Sequence, residues 1–246
     1  LEWLEDPLNA IETLYSLVKP GGHLSLMFYN RHAIVWRNLM NGSWQRAHND
    51  FFHHDKNNLM PQNPLDPEDV LNKAVEKTKE IIIKKNPNLE NKDEVAKQVG
   101  IGAVVFQELS NNRIKDYVFS WDRTLNFDGE SGPYVQYTHA RASSLLRKSE
   151  LDYNQDVEYK LLQEKEAMDL IRILNKFPEV VEDAARKYEP SIVTRYVIDI
   201  AQAFNKFYHD YPILVDDEQL QKARLALVAA VKQTIKNGLK LIGVAA

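Results

Sequence analysis

Phe127-Asp128-Gly129-Glu130-Ser131-Gly132-Pro133-Tyr134-Val135-Gln136-Tyr137, running on through Thr138 to Lys148, is the stretch on which the reading of the fold turns. A polar, glycine-containing turn ends in a proline, and proline suits the first turn of a helix, where its missing N–H would have no intrahelical partner. From Pro133 onward Tyr134, Tyr137, Arg141 and Leu145 stand at i, i+3, i+7 and i+11. At about 100° per residue that spacing lines them along one face, so a helix is expected over 133–149. Two phenol rings and a guanidinium on one stripe have two readings. Leu145 continues the stripe and favours a buried core, whereas unstacked RNA loop bases are commonly read by stacking on aromatic and Arg planes.

Working outward, the pattern downstream is helical throughout. Helices are expected over 153–175, 178–188, 190–209 and 216–238, with Pro178 in a first turn, Asp216 as a cap and Gly238 as a stop. Upstream, helices are expected over 68–85 and 91–107, Gly100 and Gly102 being weak points, and Tyr117 to Trp121 reads as a short strand. At the front, Leu8, Ile11, Leu14, Tyr15 and Val18 make a helical stripe stopped by Lys19-Pro20-Gly21-Gly22. A buried strand over 24–29 and a helix over 33–40 follow, then a polar linker to Asp69. The fold class is therefore mainly α, a helical bundle at the C-terminus preceded by a small, incomplete α/β piece.

Bulk properties narrow the function. Of the 246 residues, 44% are hydrophobic and 27% charged, which is ordinary for a chain with a core. No apolar run approaches the ~20 residues needed to span a bilayer, and Leu1-Glu2-Trp3-Leu4-Glu5-Asp6 lacks the order of a secretory signal, so a cytoplasmic protein without a membrane partner is expected. Leu1 falls at what reads as the end of a strand, so the chain is expected to start inside a larger element. The absence of cysteine excludes disulfides, thiolate catalysis and Cys-ligated zinc. The net charge of −4 resides in residues 1–71 and leaves 72–246 balanced. A strongly basic domain is the usual electrostatic footprint of a nucleic-acid binder, so any RNA contact here must rest on a local patch, and no DNA partner is expected. His53-His54-Asp55 reads as solvated loop rather than a metal site.

Residues 102–123, Gly-Ala-Val-Val-Phe-Gln-Glu-Leu-Ser-Asn-Asn-Arg-Ile-Lys-Asp-Tyr-Val-Phe-Ser-Trp-Asp-Arg, together with 127–137 and Ala140-Arg141, closely resemble the arginine–tRNA ligases, class I aminoacyl-tRNA synthetases. Ala201 to Tyr208 within 189–209, and Ala223-Arg224-Leu225 through Asn237-Gly238-Leu239, continue the likeness over about 175 residues, in the family's order. The resemblance implies a connector over 71–130 that ends the catalytic domain, and a helical anticodon-binding domain over 131–246. It also implies arginine tRNA as partner, with contacts at Tyr134, Tyr137 and Arg141. Arg195 and Lys206 are candidates to reach phosphate, with Asn205 and Tyr208 weaker because Ala201, Phe204 and Tyr208 share a core-like stripe. Trp121-Asp122-Arg123 reads as a packed corner with a local ion pair. The family uses ATP and magnesium through His-x-Gly-His and Lys-Met-Ser-Lys type motifs, and neither occurs here, so no catalytic residue and no cofactor of its own is expected. The end, Gly243-Val244-Ala245-Ala246, departs from the family's Pro-Glu-x-Met tail. A monomer is expected.

Residues 1–70 read differently. Leu17-Val18-Lys19-Pro20-Gly21-Gly22, Leu24 to Asn30 and Asn63 to Val70 resemble class I S-adenosylmethionine-dependent methyltransferases, closest to those that act on tRNA carboxymethoxyuridine. The glycine-rich loop that holds S-adenosylmethionine in that superfamily is absent. A methyltransferase remnant fused to a tRNA-binding module, and a helical interaction module without RNA affinity, are the alternatives to a tRNA-binding ligase fragment.

Overall fold

The structure, a computed structural model, describes residues 67–112, 119–149 and 151–246. The expected helix, strand and linker of the first 66 residues, the methyltransferase likeness and the His53-His54-Asp55 group lie outside the described residues. The chain divides after Val70, and Leu71–Ala246 forms one compact unit. Among the described residues the regular elements are all helical: α1 Pro67–Lys85, α2 Lys92–Ser110, a short α3 Trp121–Thr124, α4 Gly132–Lys148, a 3-10 turn Tyr159–Leu161, α5 Lys165–Asn175, α6 Phe177–Lys187, α7 Ser191–Asp210 and α8 Glu218–Leu241.

Local chemistry sets where α4 begins. Ser131 is extended, its Oγ accepts the Tyr134 N–H at 3.2 Å, and its hydroxyl donates to the Asn126 carbonyl. Pro133 follows in the first turn, so one of the orphan donors of the helix is capped and another does not exist. At the start of α8 the capping residue is Asp217 and not Asp216: its carboxylate accepts from the Gln219 and Leu220 N–H groups at 3.0 and 3.1 Å.

The core is organised on α7. Val193, Val197, Ile200, Ala201, Phe204 and Phe207 are all buried, and the helix lies against α2, α4, α5, α6 and α8. α4 crosses this assembly with Val135, Ala142 and Leu145 inward, packed against α2, α7 and α8. A fully buried Phe or Leu contributes about 1.5–3 kcal/mol relative to exposure, so this apolar seam is what fixes α4 against α7.

Three expectations are corrected. The helix over 153–175 starts only at Lys165, after the 3-10 turn. Asp152 takes the Asn154 N–H at 2.9 Å and Asp156 has a φ of 52°, so side-chain bonding and a left-handed residue interrupt the turn register. Glu164 is instead drawn to Arg224, a guanidinium only 7% exposed that also donates to the Pro212 carbonyl. Second, the strand over 117–121 is absent where it can be seen: Phe119 and Ser120 are irregular and Trp121 opens α3. Trp121 packs edge-on to Phe119 at 4.9 Å, beneath Lys73 and Lys77, and Asp122 and Arg123 form no ion pair with each other.

Third, the glycines are packing positions rather than weak points or stops. A Cβ on Gly100 would come within 2.8 Å of the Ala74 carbonyl oxygen, so its absence lets α2 meet α1 backbone to backbone. Gly238 lies inside α8, which continues to Leu241, and a Cβ there would sit 2.4 Å from Val197 Cγ1. The stop belongs to Gly243, with a φ of 73° and the Val244 N–H returning to the Leu239 carbonyl at 3.0 Å.

Two predictions follow from this packing. In a helix interior Gly to Ala gains about 1 kcal/mol of propensity, but the overlap with buried Val197 opposes it more strongly. Gly238→Ala should therefore destabilise the chain by about 1–3 kcal/mol in urea unfolding, whereas a stabilised variant would mean the close approach is absent. Tyr196, buried between α5 and α7, donates to the Ile173 carbonyl at 2.9 Å, and burial pushes its phenol up from 10.0 to about 12. The folded state then holds that proton more tightly than the unfolded state. Its contribution is complete below pH 10 and is lost as pH rises from there toward about 12. Tyr196→Phe should flatten the alkaline fall in stability over this window, measured by urea titration at each pH.

Candidate nucleic-acid interface

α4 and α7 present one polar, aromatic cluster beside their apolar seam. The Arg141 guanidinium carbon lies 5.0 Å from the Tyr137 ring centroid and 5.2 Å from that of Tyr208. The cation is thus held between a ring from each helix. Its Nη1 donates to Asn205 Oδ1 at 2.5 Å, and Asn205 Nδ2 donates to the Tyr134 hydroxyl at 2.9 Å and to Thr138 Oγ1 at 3.1 Å. Tyr208 also stacks on Phe204, with centroids 6.2 Å apart and planes 28° from parallel, which ties the cluster to the core.

Exposure separates the residues of the sequence stripe. Leu145 is 8% exposed and belongs to the core, whereas Tyr137 is 51% exposed. The stripe is therefore mixed: Leu145 is core, Tyr134 and Arg141 are half-buried with Tyr134 packed against the core, and Tyr137 is the exposed member. Tyr208 is corrected from core to surface. Ala201 and Phe204 are fully buried, but the stripe leaves the core one turn later because α4 offers Arg141 and Tyr137 at that level, and Tyr208 is 38% exposed.

The two candidate phosphate cations are both exposed and both paired. Arg195 Nη1 lies 3.1 Å from Glu130 Oε2, in the turn that leads into α4, and Gln202 Nε2 approaches the other carboxylate oxygen at 3.5 Å. Partial burial raises the pKa of neighbouring Asp199, with Arg195 opposing and Glu130 adding to the shift. Lys206 Nζ lies 3.2 Å from Glu166, whose other oxygen accepts the Tyr211 hydroxyl at 3.1 Å. The Glu166 carboxyl is held below its ordinary range, first by its own backbone N–H and then by Lys206 and Tyr211.

Tyr134, Tyr137, Arg141, Asn205 and Tyr208 thus form one cluster, while Arg195 and Lys206 stand apart from it on α7. Asn205, a weaker candidate from the sequence, is the residue that hydrogen-bonds Arg141, Tyr134 and Thr138. A mid-helix Asn is a poor helix former that competes for backbone bonds, and on a helix otherwise lined with apolar residues that cost was the available signal. Chemically the cluster offers flat surfaces and donors and no nucleophile or proton-transfer pair.

No group of three or more His, Asp or Glu among the described residues could hold a metal ion. Gly100, Gly102, Gly132 and Gly238 each face packed atoms and form no phosphate cradle. No helix among the described residues is long and apolar enough to cross a membrane.

A family model described as "DALR anticodon binding domain" matches residues 135–246, and one described as "tRNA synthetases class I (R), catalytic domain" matches residues 62–121. Residues 63–70, read above with the methyltransferase-like segment, fall inside the second match, and the methyltransferase likeness gains no support from any of these comparisons. The chain is 60% identical over 176 residues to the arginine–tRNA ligase of Clostridioides difficile, covering 72% of this chain and 31% of that protein. It is 60% identical over 179 residues to that of Alkaliphilus metalliredigens, covering 73% and 32%. The arginyl-tRNA synthetase structure of Thermus thermophilus superposes with a TM-score of 0.67 at 28% identity, covering 89% of this chain and 39% of that one. The chain thus spans about a third of the length of the curated relatives it matches. With a class I catalytic-domain segment followed by an anticodon-binding helical bundle, it belongs to the arginine–tRNA ligase family, of which it carries the C-terminal part.

Proposed function

We propose that residues 71–246 bind the anticodon arm of an arginine tRNA, and that the sandwich of Tyr137, Arg141 and Tyr208 receives an unstacked loop base. The observation that carries this reading is Arg141, fixed between two rings while half of Tyr137 stays in solvent. A ring steadied by a guanidinium on one side has its other side to offer, and a base stacked on such a ring contributes about 1–3 kcal/mol. Because residues 72–246 carry no net charge, affinity rests on stacking and local donors more than on a basic field. Arg195 and Lys206 serve as phosphate contacts that exchange Glu130 and Glu166 for RNA. The module acts as a monomer in the cytoplasm, within a ligase that attaches arginine to tRNA. The ATP and magnesium chemistry belongs to other parts of that ligase.

Fluorescence anisotropy with a labelled arginine tRNA transcript tests the platform. Tyr137→Ala and Arg141→Ala should each weaken binding by about tenfold or more. Unfolding free energy should change by less than about 1 kcal/mol for Tyr137→Ala, since half of that side chain is already exposed. Unchanged affinity in both variants contradicts the assignment. Salt titration tests the phosphate contacts separately: Arg195→Ala and Lys206→Ala should each flatten the dependence of log affinity on log salt by about 0.7–0.9. A slope equal to that of the parent removes that residue from the interface.

A further inference from the structure

Asn205 touches both halves of the cluster, and the direction of its hydrogen bonds is fixed by its partners. A guanidinium only donates, so the amide oxygen must face Arg141 and the two amide hydrogens must face α4. Those hydrogens go to the Tyr134 hydroxyl at 2.9 Å and Thr138 Oγ1 at 3.1 Å. Thr138 spends its own proton on the Tyr134 carbonyl at 2.9 Å, which leaves its oxygen as the acceptor Asn205 requires. The Tyr134 oxygen is likewise an acceptor toward Asn205, so its own proton points elsewhere. Among the described residues neither that proton nor the Nε and Nη2 of Arg141 meets another acceptor.

Resting on the interface proposed above, we infer that Asn205 is a positioning residue that sets the proton polarity of this corner, turning the Tyr134 hydroxyl and the outer edge of Arg141 into donors for an RNA acceptor. The group taken there is an oxygen or ring nitrogen acceptor, from a base edge or a phosphate. A base edge presenting only donors is disfavoured, because each N–H would meet another donor and stay unpaired. An Asp in place of Asn205 would keep the acceptor for Arg141 and lose the donor to Tyr134. The phenol would then turn its proton inward to the carboxylate and present a lone pair to the ligand.

The test is a double-mutant cycle on the full chain, with the labelled arginine tRNA transcript as probe and Tyr137→Ala as control. Tyr134→Phe and Asn205→Asp should each weaken binding by about fivefold, the worth of one hydrogen bond. Added to Tyr134→Phe, Asn205→Asp should cost markedly less than alone, because the hydroxyl it misdirects is already gone. Added negative charge or a general structural fault would cost the same factor in both backgrounds, and that result overturns the inference. Should Asn205→Asp not fold, Asn205→Ala run through the same cycle tests the same coupling, with a residual cost in the Tyr134→Phe background from the acceptor that Arg141 also loses. The salt slope of Arg141→Ala distinguishes the acceptor's source, because only the charged donor of this corner releases counterions: unchanged for a base, flatter by about 0.7–0.9 for a phosphate. A weakened Tyr137→Ala without coupling between Tyr134 and Asn205 leaves the interface standing and overturns only the positioning role. Indifference of binding to Tyr137 and Arg141 overturns the interface and the inference together.

Discussion

A guanidinium cannot shed its charge inside a protein, so Arg141 must find both flat surfaces and hydrogen-bond acceptors where α4 meets α7. It finds Tyr137 on its own helix, Tyr208 on the other, and the Asn205 oxygen beside them. Every other feature of the cluster is arranged around that solution. Tyr208 is steadied from behind by Phe204, and Asn205 is steadied by Tyr134 and Thr138. The result is a surface of rings and donors rather than a basic stripe, which suits the RNA recognition by stacking proposed for this neutral region.

Such a surface works only if the two helices cannot slide. The seam beneath it is made of Val135, Ala142 and Leu145 from α4 with Val197, Ala201 and Phe204 from α7, all buried. α8 closes the seam from a third side, and it approaches α7 closely because Gly238 faces Val197 without a side chain between them. Farther along, the Arg224 guanidinium binds Glu164 and the Pro212 carbonyl, pinning the irregular 151–164 segment to α8. Breaking one partner of a pair so buried is strongly destabilising, so this contact fixes the path of the chain rather than adding a surface ion pair.

Much of this was legible in the sequence because helices declare themselves by period. The helices α1, α2, α4, α6 and α7 begin and end within a few residues of their expected positions, and Pro133 and Pro178 lie in first turns. The failures have physical causes. Asp152 and Asp156 sit in a segment of good helical period, yet local side-chain bonding and a left-handed residue break it. Gly100 and Gly238 read as interruptions because a sequence shows the missing side chain and not the neighbour that fills its place. Spacing put Tyr137 and Arg141 on one helical face and left core and surface both open. The place of Asn205 in the cluster and the exposure of Tyr208 were not legible, since both depend on which residues of α4 lie opposite α7.

The most direct measurement of the central claim is an NMR titration of the chain carrying 13C-labelled tyrosine rings with the anticodon stem-loop of an arginine tRNA. Ring resonances of Tyr137 and Tyr208 should shift strongly and saturate together, while those of Tyr159, which is 64% exposed and remote from the cluster in sequence, stay in place. Saturable RNA binding that leaves Tyr137 and Tyr208 unmoved would contradict the account.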